Sequence, residues 1–462
     1  MLRSPGLVLL LTLAACTAPD DPPAPPPFDL DARVDLMLEA YGVEGVAVAV
    51  VRDQETVLAN GYGFQQDGTP YTAESVHQLY SATKAVASFV YASLVEDAAF
   101  DLDAPLGELL PDAPDAWAGL PFWRLLNHTS GIPMVVTQPG FQTIYADTSA
   151  GNPEVYAAVR DVPLDFVPGE TSRYQQSGYA IAELILEHQL GSDWPSLVEA
   201  HVTGPAGTDS TVHTEFARGQ RSVPLIASGG GFQTTASDMA RVFKALNDGR
   251  IASPEGIDSL LHQDAYRFES YSLGSILEEI DGMRTVGHQG GGARATIRYA
   301  PNQRIGVAVF TNDTDNNNLT LHLADQLVRA VALGQEPLPP ISALLLEHRQ
   351  APADSLVQLY QTEAGRDEPQ YDFALAEWTL NRLGYQFLRQ GQTEDALILF
   401  ALNARTHPGS ANTHDSLGEA YVEAGDPERA LASYRRALEL NPESQNAQQM
   451  IGRIQAGNQS PQ

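Results

Sequence analysis

Ser81-Ala82-Thr83-Lys84 places a hydroxyl and an amine three residues apart, a spacing that sets both on one face of a helix. A serine hydroxyl is a poor nucleophile until a neighbouring base takes its proton. Lysine can be that base only when uncharged. Near pH 7 this requires its pKa to fall by roughly 3 units, worth about 4 kcal/mol of burial and neighbouring charge. The residues that follow offer the burial: ATKAVASFVYASLV, Ala82 to Val95, is apolar or small on every side apart from Lys84, the mark of a helix enclosed in a core. Ser81 at the N-terminus of that helix also faces backbone N–H groups. Lys84 stands out in a chain whose basic residues are nearly all Arg, Lys244 being its one companion. The chemistry expected is acyl transfer through a covalent intermediate on Ser81. There is no Gly-x-Ser-x-Gly elbow, no His-Glu-x-x-His and no phosphate-binding Gly-rich loop, so neither a metal nor a cofactor is expected.

The stretch LYSATKAVAS (Leu79–Ser88), with LLNHTSGIP (Leu125–Pro133) after it, resembles the serine β-lactamase and penicillin-binding-protein-like family. The nearest branch is that of class C β-lactamases, D-Ala-D-Ala carboxypeptidases, D-aminopeptidases and esterases. The resemblance runs from about Asp29 to Leu333 and implies an α/β fold, an antiparallel sheet flanked by helices with an all-helical cluster. It implies further site residues. Tyr174, in YQQSGY, matches the family's catalytic Tyr, which shares or relays the proton with the Lys. Gln176 stands where that family usually has Asn; its arm is one methylene longer, and it is expected to touch substrate. His288-Gln289-Gly290-Gly291 matches the third motif, with His288 as an electrophilic or proton-relay partner and Gln289 and Gly290 beside the substrate. The oxyanion hole carried over is the N–H of Ser81 and of Gly291. His128-Thr129-Ser130-Gly131 is expected to shape a turn, and Gly229-Gly230-Gly231 to allow tight loop packing. Because His288 replaces the Lys of β-lactamases and Gln176 replaces Asn, small esters or D-amino-acid peptides are expected over β-lactams.

These residues need elements to hold them. Asp29 to Ala40 has helical apolar spacing, and GVAVAVVRDQETVLANGYGF reads as a hairpin turning at Asp53-Gln54. Residues 294–298 and 305–310 read as closing strands, Leu319 to Leu333 and Ser237 to Leu246 as helices. Beyond GQEPLPP (Gly334–Pro340) the chain repeats itself. Leu383, Gly384, Phe387, Gly391, Ala396, Phe400 and Pro408 are matched 34 residues later by Leu417, Gly418, Tyr421, Gly425, Ala430, Tyr434 and Pro442. That period resembles the tetratricopeptide repeat, an all-α array, with Ala351 to Leu380 as a degenerate helical unit completing the stack. The repeats could brace the enzyme or offer a groove to a protein or peptide partner.

At the N-terminus, Arg3, the apolar Leu7 to Leu13 and Leu13-Ala14-Ala15-Cys16 resemble a bacterial lipoprotein signal, with Cys16, the only Cys, as the lipid attachment site. The expected order is signal 1–16, Pro-rich tether 17–28, hydrolase domain 29–335, linker 336–350 and repeat domain 351–462, exported and held at a membrane. A net charge of −31 repels phosphate backbones and argues against nucleic acid. The alternative reading is a catalytically silent, membrane-anchored protein that recruits a partner through its repeats.

Overall fold

The computed structural model describes residues 29–457 apart from 215–217, 315–317, 335 and 443. Helix α1 (Leu30–Tyr41) is started by the Asp29 carboxylate, which accepts from the Ala32 N–H, and ended by Gly42 in the left-handed region. The run GVAVAVVR then forms β1 (Gly45–Arg52), and the chain turns at Asp53, φ 52°, into β2 (Glu55–Gly63). The rest of this sheet comes from far along the chain: β3 (Arg267–Phe268), β4 (Tyr271–Ser272), β5 (Ser275–Ile280), β6 (Met283–Gly290), β7 (Ala295–Ala300) and β8 (Ile305–Phe310). Its order is β2-β1-β8-β7-β6-β5-β4-β3. The early hairpin joins the late strands through an antiparallel register that sets Ala47 opposite Phe310 and Arg52 opposite Ile305.

Both faces of the sheet are covered. Ala47, Ala49 and Val51 enter a core with α2 (Thr83–Glu96), α3 (Ser177–Leu190) and α4 (Ala236–Asn247). Val46, Val48 and Val50 enter a second core with α1 and α5 (Leu319–Leu333). A strand buried on both faces has no polar side to show, hence the unbroken apolar run of β1. Helices α2 and α3 belong to the helical cluster that lies between β2 and β3 in sequence. Every residue of α2 from Thr83 to Leu94 is buried, Lys84 included.

The second core does not stop at α5. The stretch 336–350, expected as a linker, carries helix α6 (Ile341–Glu347), whose Ile341, Leu345 and Leu346 pack into the same core as Val46 and Val48. The Pro-rich lead-in reads as a spacer, but the apolar face of ISALLLE behind it needs cover and finds α1 and α8 (Ala376–Arg389). Between them, α7 (Ala353–Ala364) precedes the repeats. Leu380, expected at the end of a degenerate unit, lies inside α8, the first helix of the first repeat. The array continues as α9 (Thr393–Thr406), α10 (Ala411–Glu423), α11 (Pro427–Leu440) and α12 (Gln445–Gly457). The 34-residue coincidences have a packing cause. A Cβ on Gly384 would lie 2.6 Å from the Phe400 ring, and one on Gly418 3.1 Å from the Tyr434 ring. The glycine of each first helix makes room for the aromatic of its second. Cys16 and the tether lie outside the described residues, among which no helix is long and apolar enough to cross a membrane.

Candidate active site

Four elements meet at Ser81. A 3-10 turn, Tyr80–Ala82, leads into α2 and carries the hydroxyl; Tyr80, at φ 49°, bends the chain through a region that non-glycine residues rarely occupy. The segment before α3 supplies Tyr174 and Gln176, β6 ends in His288, Gln289 and Gly290, and a short helical turn, Ala227–Gly230, closes the opposite side. The backbone of β6 comes very close: a Cβ on Gly290 would lie 2.1 Å from the Leu79 carbonyl oxygen and 2.8 Å from the Ser81 nitrogen. Only glycine fits there, and this brings Gly291 to the nucleophile's side. Ser81 borders two cavities. One, of about 290 Å³, is walled by Gln176, Gly229, Gly230 and the apolar Val136, Phe141, Tyr145, Leu225 and Ile226. The other, of about 250 Å³, is walled by Tyr174 and residues 288–293. A cavity of about 820 Å³ lies away from Ser81, between Tyr41–Gly45 and Trp378, Arg382, Tyr385 and Arg389 of α8.

Lys84 is fully buried. Its Nζ donates to the Gly229 carbonyl at 2.5 Å and to Gln176 Oε1 at 3.1 Å, and lies 4.9 Å from the ring centre of Tyr174 and 4.7 Å from that of Tyr179. Burial pulls its pKa from 10.5 down to about 7, against the opposing pull of the Glu183 carboxylate. The direct meeting of hydroxyl and amine expected from the spacing is not what the structure has. Ser81 sits in the tighter 3-10 turn ahead of α2, lining one cavity with Tyr174, whose proton affinity its hydroxyl lowers, while the amine turns inward to two oxygens. Tyr174 neighbours both groups. Although the residue is 44 % exposed, desolvation raises its pKa to about 12, with Ser81 and Gln176 opposing. The longer arm of Gln176 has a use here, since its amide oxygen reaches Lys84.

His288 is buried and held neutral, its pKa lowered to about 3 by burial and then by the Lys84 charge. Its Nδ1 lies 2.5 Å from the Gln289 carbonyl, which can only accept, so the ring proton is there; Nε2 is then the acceptor for the Tyr271 hydroxyl at 3.1 Å. Both nitrogens are engaged, which fixes the orientation of the ring in the wall of the site. His128, at φ 64°, packs its ring against Tyr174 and Tyr271 at centroid distances of 4.5 and 4.7 Å. Its carbonyl accepts from the Arg173 N–H, and nearby the Pro133 carbonyl accepts from the Ser177 hydroxyl. The HTSG segment thus works as a turn, one that clamps the segment bearing Tyr174.

Three contributors escaped the sequence reading. Gly229, taken for loop packing, offers its carbonyl to Lys84. Tyr271 fixes the His288 ring. Glu183, fully buried on α3, has its pKa pushed up from 4.5 to about 7 by burial. A lone acid in the apolar stretch SGYAIAELIL, two helical turns beyond Gln176, was the available signal.

Residues 30–332 match the β-lactamase family and residues 411–444 the tetratricopeptide repeat. The chain is 26% identical over 388 residues to penicillin-binding protein 4 of Amycolatopsis lactamdurans, covering 73% of this chain and 99% of that one. It is 22% identical to a D-aminopeptidase of Gluconobacter oxydans over 40% of this chain and 35% of the relative. Among solved structures, the D-amino acid amidase of Ochrobactrum anthropi superposes with a TM-score of 0.55 at 21% identity, covering 66% of this chain and 99% of that one, and shares the fold.

Proposed function

The chain belongs to the β-lactamase family, and on that premise we propose that it is a serine hydrolase whose nucleophile is Ser81. Ser81 Oγ attacks a substrate carbonyl carbon while its proton passes to the Tyr174 oxygen and the phenol proton moves on to uncharged Lys84. The carbonyl oxygen takes the negative charge, facing the N–H groups of Ser81 and Gly291. When the tetrahedral intermediate collapses, the proton returns through Tyr174 to the leaving oxygen or nitrogen. Water then enters, loses a proton along the same route and releases the acyl group. The observation that carries this reading is a wholly buried Lys84 whose Nζ lies 4.9 Å from the ring of Tyr174, which shares a cavity wall with Ser81.

Small esters and D-amino-acid amides or peptides fit better than β-lactams. The apolar wall of Val136, Phe141, Leu225 and Ile226 beside Ser81 suits an apolar side chain or acyl group, and His288 is neutral where a β-lactamase has a lysine. A fluorophosphonate probe should label the wild-type protein and not Ser81→Ala. Hydrolysis of p-nitrophenyl esters and D-alanyl peptides should disappear with the same substitution, and nitrocefin should turn over slowly or not at all. Equal rates for both proteins on every substrate would end the hydrolase reading, and an unlabelled Ser81 in folded protein would favour the silent binding role. We further propose export with acylation at Cys16, supported by the LAAC sequence and testable by loss of membrane association in Cys16→Ser. A protein partner at the repeats is proposed on the strength of their match alone.

A further inference from the structure

Glu183 has more polar partners than burial alone explains. Its Oε1 accepts from the Ser228 N–H at 2.6 Å and the Ser228 hydroxyl at 2.5 Å; its Oε2 accepts from the Asn152 amide at 2.7 Å and the Ala227 N–H at 3.1 Å. The Asn152 amide is fixed in that orientation, because its oxygen accepts from the Ile226 N–H at 2.9 Å. The side chain thus receives four hydrogen bonds, and a glutamine there would turn its NH2 group onto donors. The site is built for a carboxylate. Two of the donors are backbone N–H groups at the start of the Ala227–Gly230 turn, and the third residue of that turn, Gly229, gives its carbonyl to Lys84. The same turn walls the cavity beside Ser81. Two hydrogen-bonded links therefore join Glu183 to Lys84, in addition to the attraction between their charges.

Other titratable groups face Lys84 from the elements around it: Tyr174 ahead of α3, Tyr179 on α3, His128 in the HTSG turn and His288 on β6, with Tyr271 of β4 behind the two histidines, while Tyr91 of α2 faces Glu183. Burial keeps both histidines uncharged at neutral pH and the tyrosines protonated. Glu183 is the acid in this set.

Resting on the serine-hydrolase reading, we propose that Glu183 is a positioning residue for Lys84: it fixes the Gly229 carbonyl that holds Nζ behind Tyr174, and it supplies the counter-charge of the protonated amine. The chain has two lysines, so the full-length protein labelled with 13C at lysine Cε gives two resonances, assigned by Lys244→Arg. The Lys84 signal should titrate near pH 7 in wild type and about one pH unit lower in Glu183→Gln, whose lost charge no longer favours the ammonium. Glu183→Asp, which restores the charge, should recover part of the shift. Should Glu183→Gln fail to fold, Ser228→Ala, which removes one donor to the carboxylate, should move the midpoint the same way by less. The acid limb of kcat/KM for a p-nitrophenyl ester should follow the resonance. An unchanged Lys84 midpoint in folded Glu183→Gln would overturn the proposal. A wild-type protein that neither turns over ester nor takes the probe would sink the hydrolase reading instead, and the titration would still decide the pairing.

Discussion

Replacing Lys84 by Met should kill activity and make the protein more stable at neutral pH, and the structure sets the size of the effect. Lys84 is fully buried with its pKa lowered from 10.5 to about 7. Between those two values the unfolded chain holds the proton and the folded protein has released it, so stability rises with pH. At about 1.4 kcal/mol per pH unit, the interval amounts to about 5 kcal/mol, fully present above pH 10.5 and lost as pH falls through 7. Glu183 acts in the opposite sense. Its pKa is raised from 4.5 to about 7, so its contribution is complete below 4.5 and lost as pH rises through 7. Both slopes lead down to neutral pH, where the wild type carries most of both burdens. Methionine keeps the volume of the lysine stem and removes the ammonium, but it strands the Gly229 carbonyl and the Gln176 amide, at about 1–3 kcal/mol. Lys84→Met should therefore be about 2–4 kcal/mol more stable than wild type at pH 7. That margin should vanish towards pH 10. Guanidinium unfolding of both full-length proteins across this range reads the difference directly. Parallel stability–pH curves would refute the reasoning, because they would mean that Lys84 does not change its proton affinity on folding.

Three further outcomes are expected. Hydrolysis should lose close to a factor of ten in kcat/KM for each pH unit below about 7, as Lys84 takes up its proton; a rate flat down to pH 5 would exclude Lys84 as the final base. Tyr174→Phe keeps the ring against Lys84 and His128 while removing the hydroxyl proposed to relay the Ser81 proton, and should lower kcat by about 10²–10⁴ with little change in KM, measured on p-nitrophenyl esters. Gly290→Ala would put a methyl group 2.1 Å from the Leu79 carbonyl oxygen. The end of β6 must then move away from Ser81, and probe labelling should slow by about 10². In the repeats, Gly384→Ala forces a methyl group against Phe400 at 2.6 Å and should cost about 1–3 kcal/mol in unfolding experiments while leaving ester hydrolysis unchanged at low temperature.

How far the sequence could be read depended on whether the deciding interaction was local. The β1–β2 hairpin, α2 and the span Leu319–Leu333 were legible because apolar periodicity and turn residues act over a few positions. The repeats were legible because Gly384 and Phe400 must vary together to pack, and the same pair returns 34 residues on. The α6 segment was misread for a related reason: its flanking prolines are a local signal, whereas the second core that claims Ile341 and Leu345 is assembled from α1, α5, α8 and the far face of the sheet.

At the site the limit is the same, one level up. Ser81, Lys84, Tyr174 and the His288–Gly291 run could be picked out by type and order. What the residues do there depends on partners that spacing does not encode. That the Lys84 amine bonds to Gln176 and Gly229 could not be read from its spacing to Ser81, which sits in a 3-10 turn ahead of the helix. The neutrality of His288 depends on how deeply it is buried and on the Lys84 charge, and its orientation on Tyr271, seventeen residues before it on another strand. Glu183 looks from sequence like an isolated polar residue on an apolar helix, where a buried charge would be strongly disfavoured. It is tolerated because Asn152, Ala227 and Ser228 converge on it from two other segments. The arrangement that makes a carboxylate bearable in the core is also the one that carries its influence to Lys84. For that reason, substitutions at Asn152 or Ser228, neither of which hydrogen-bonds Lys84, should be felt in the proton affinity of its amine.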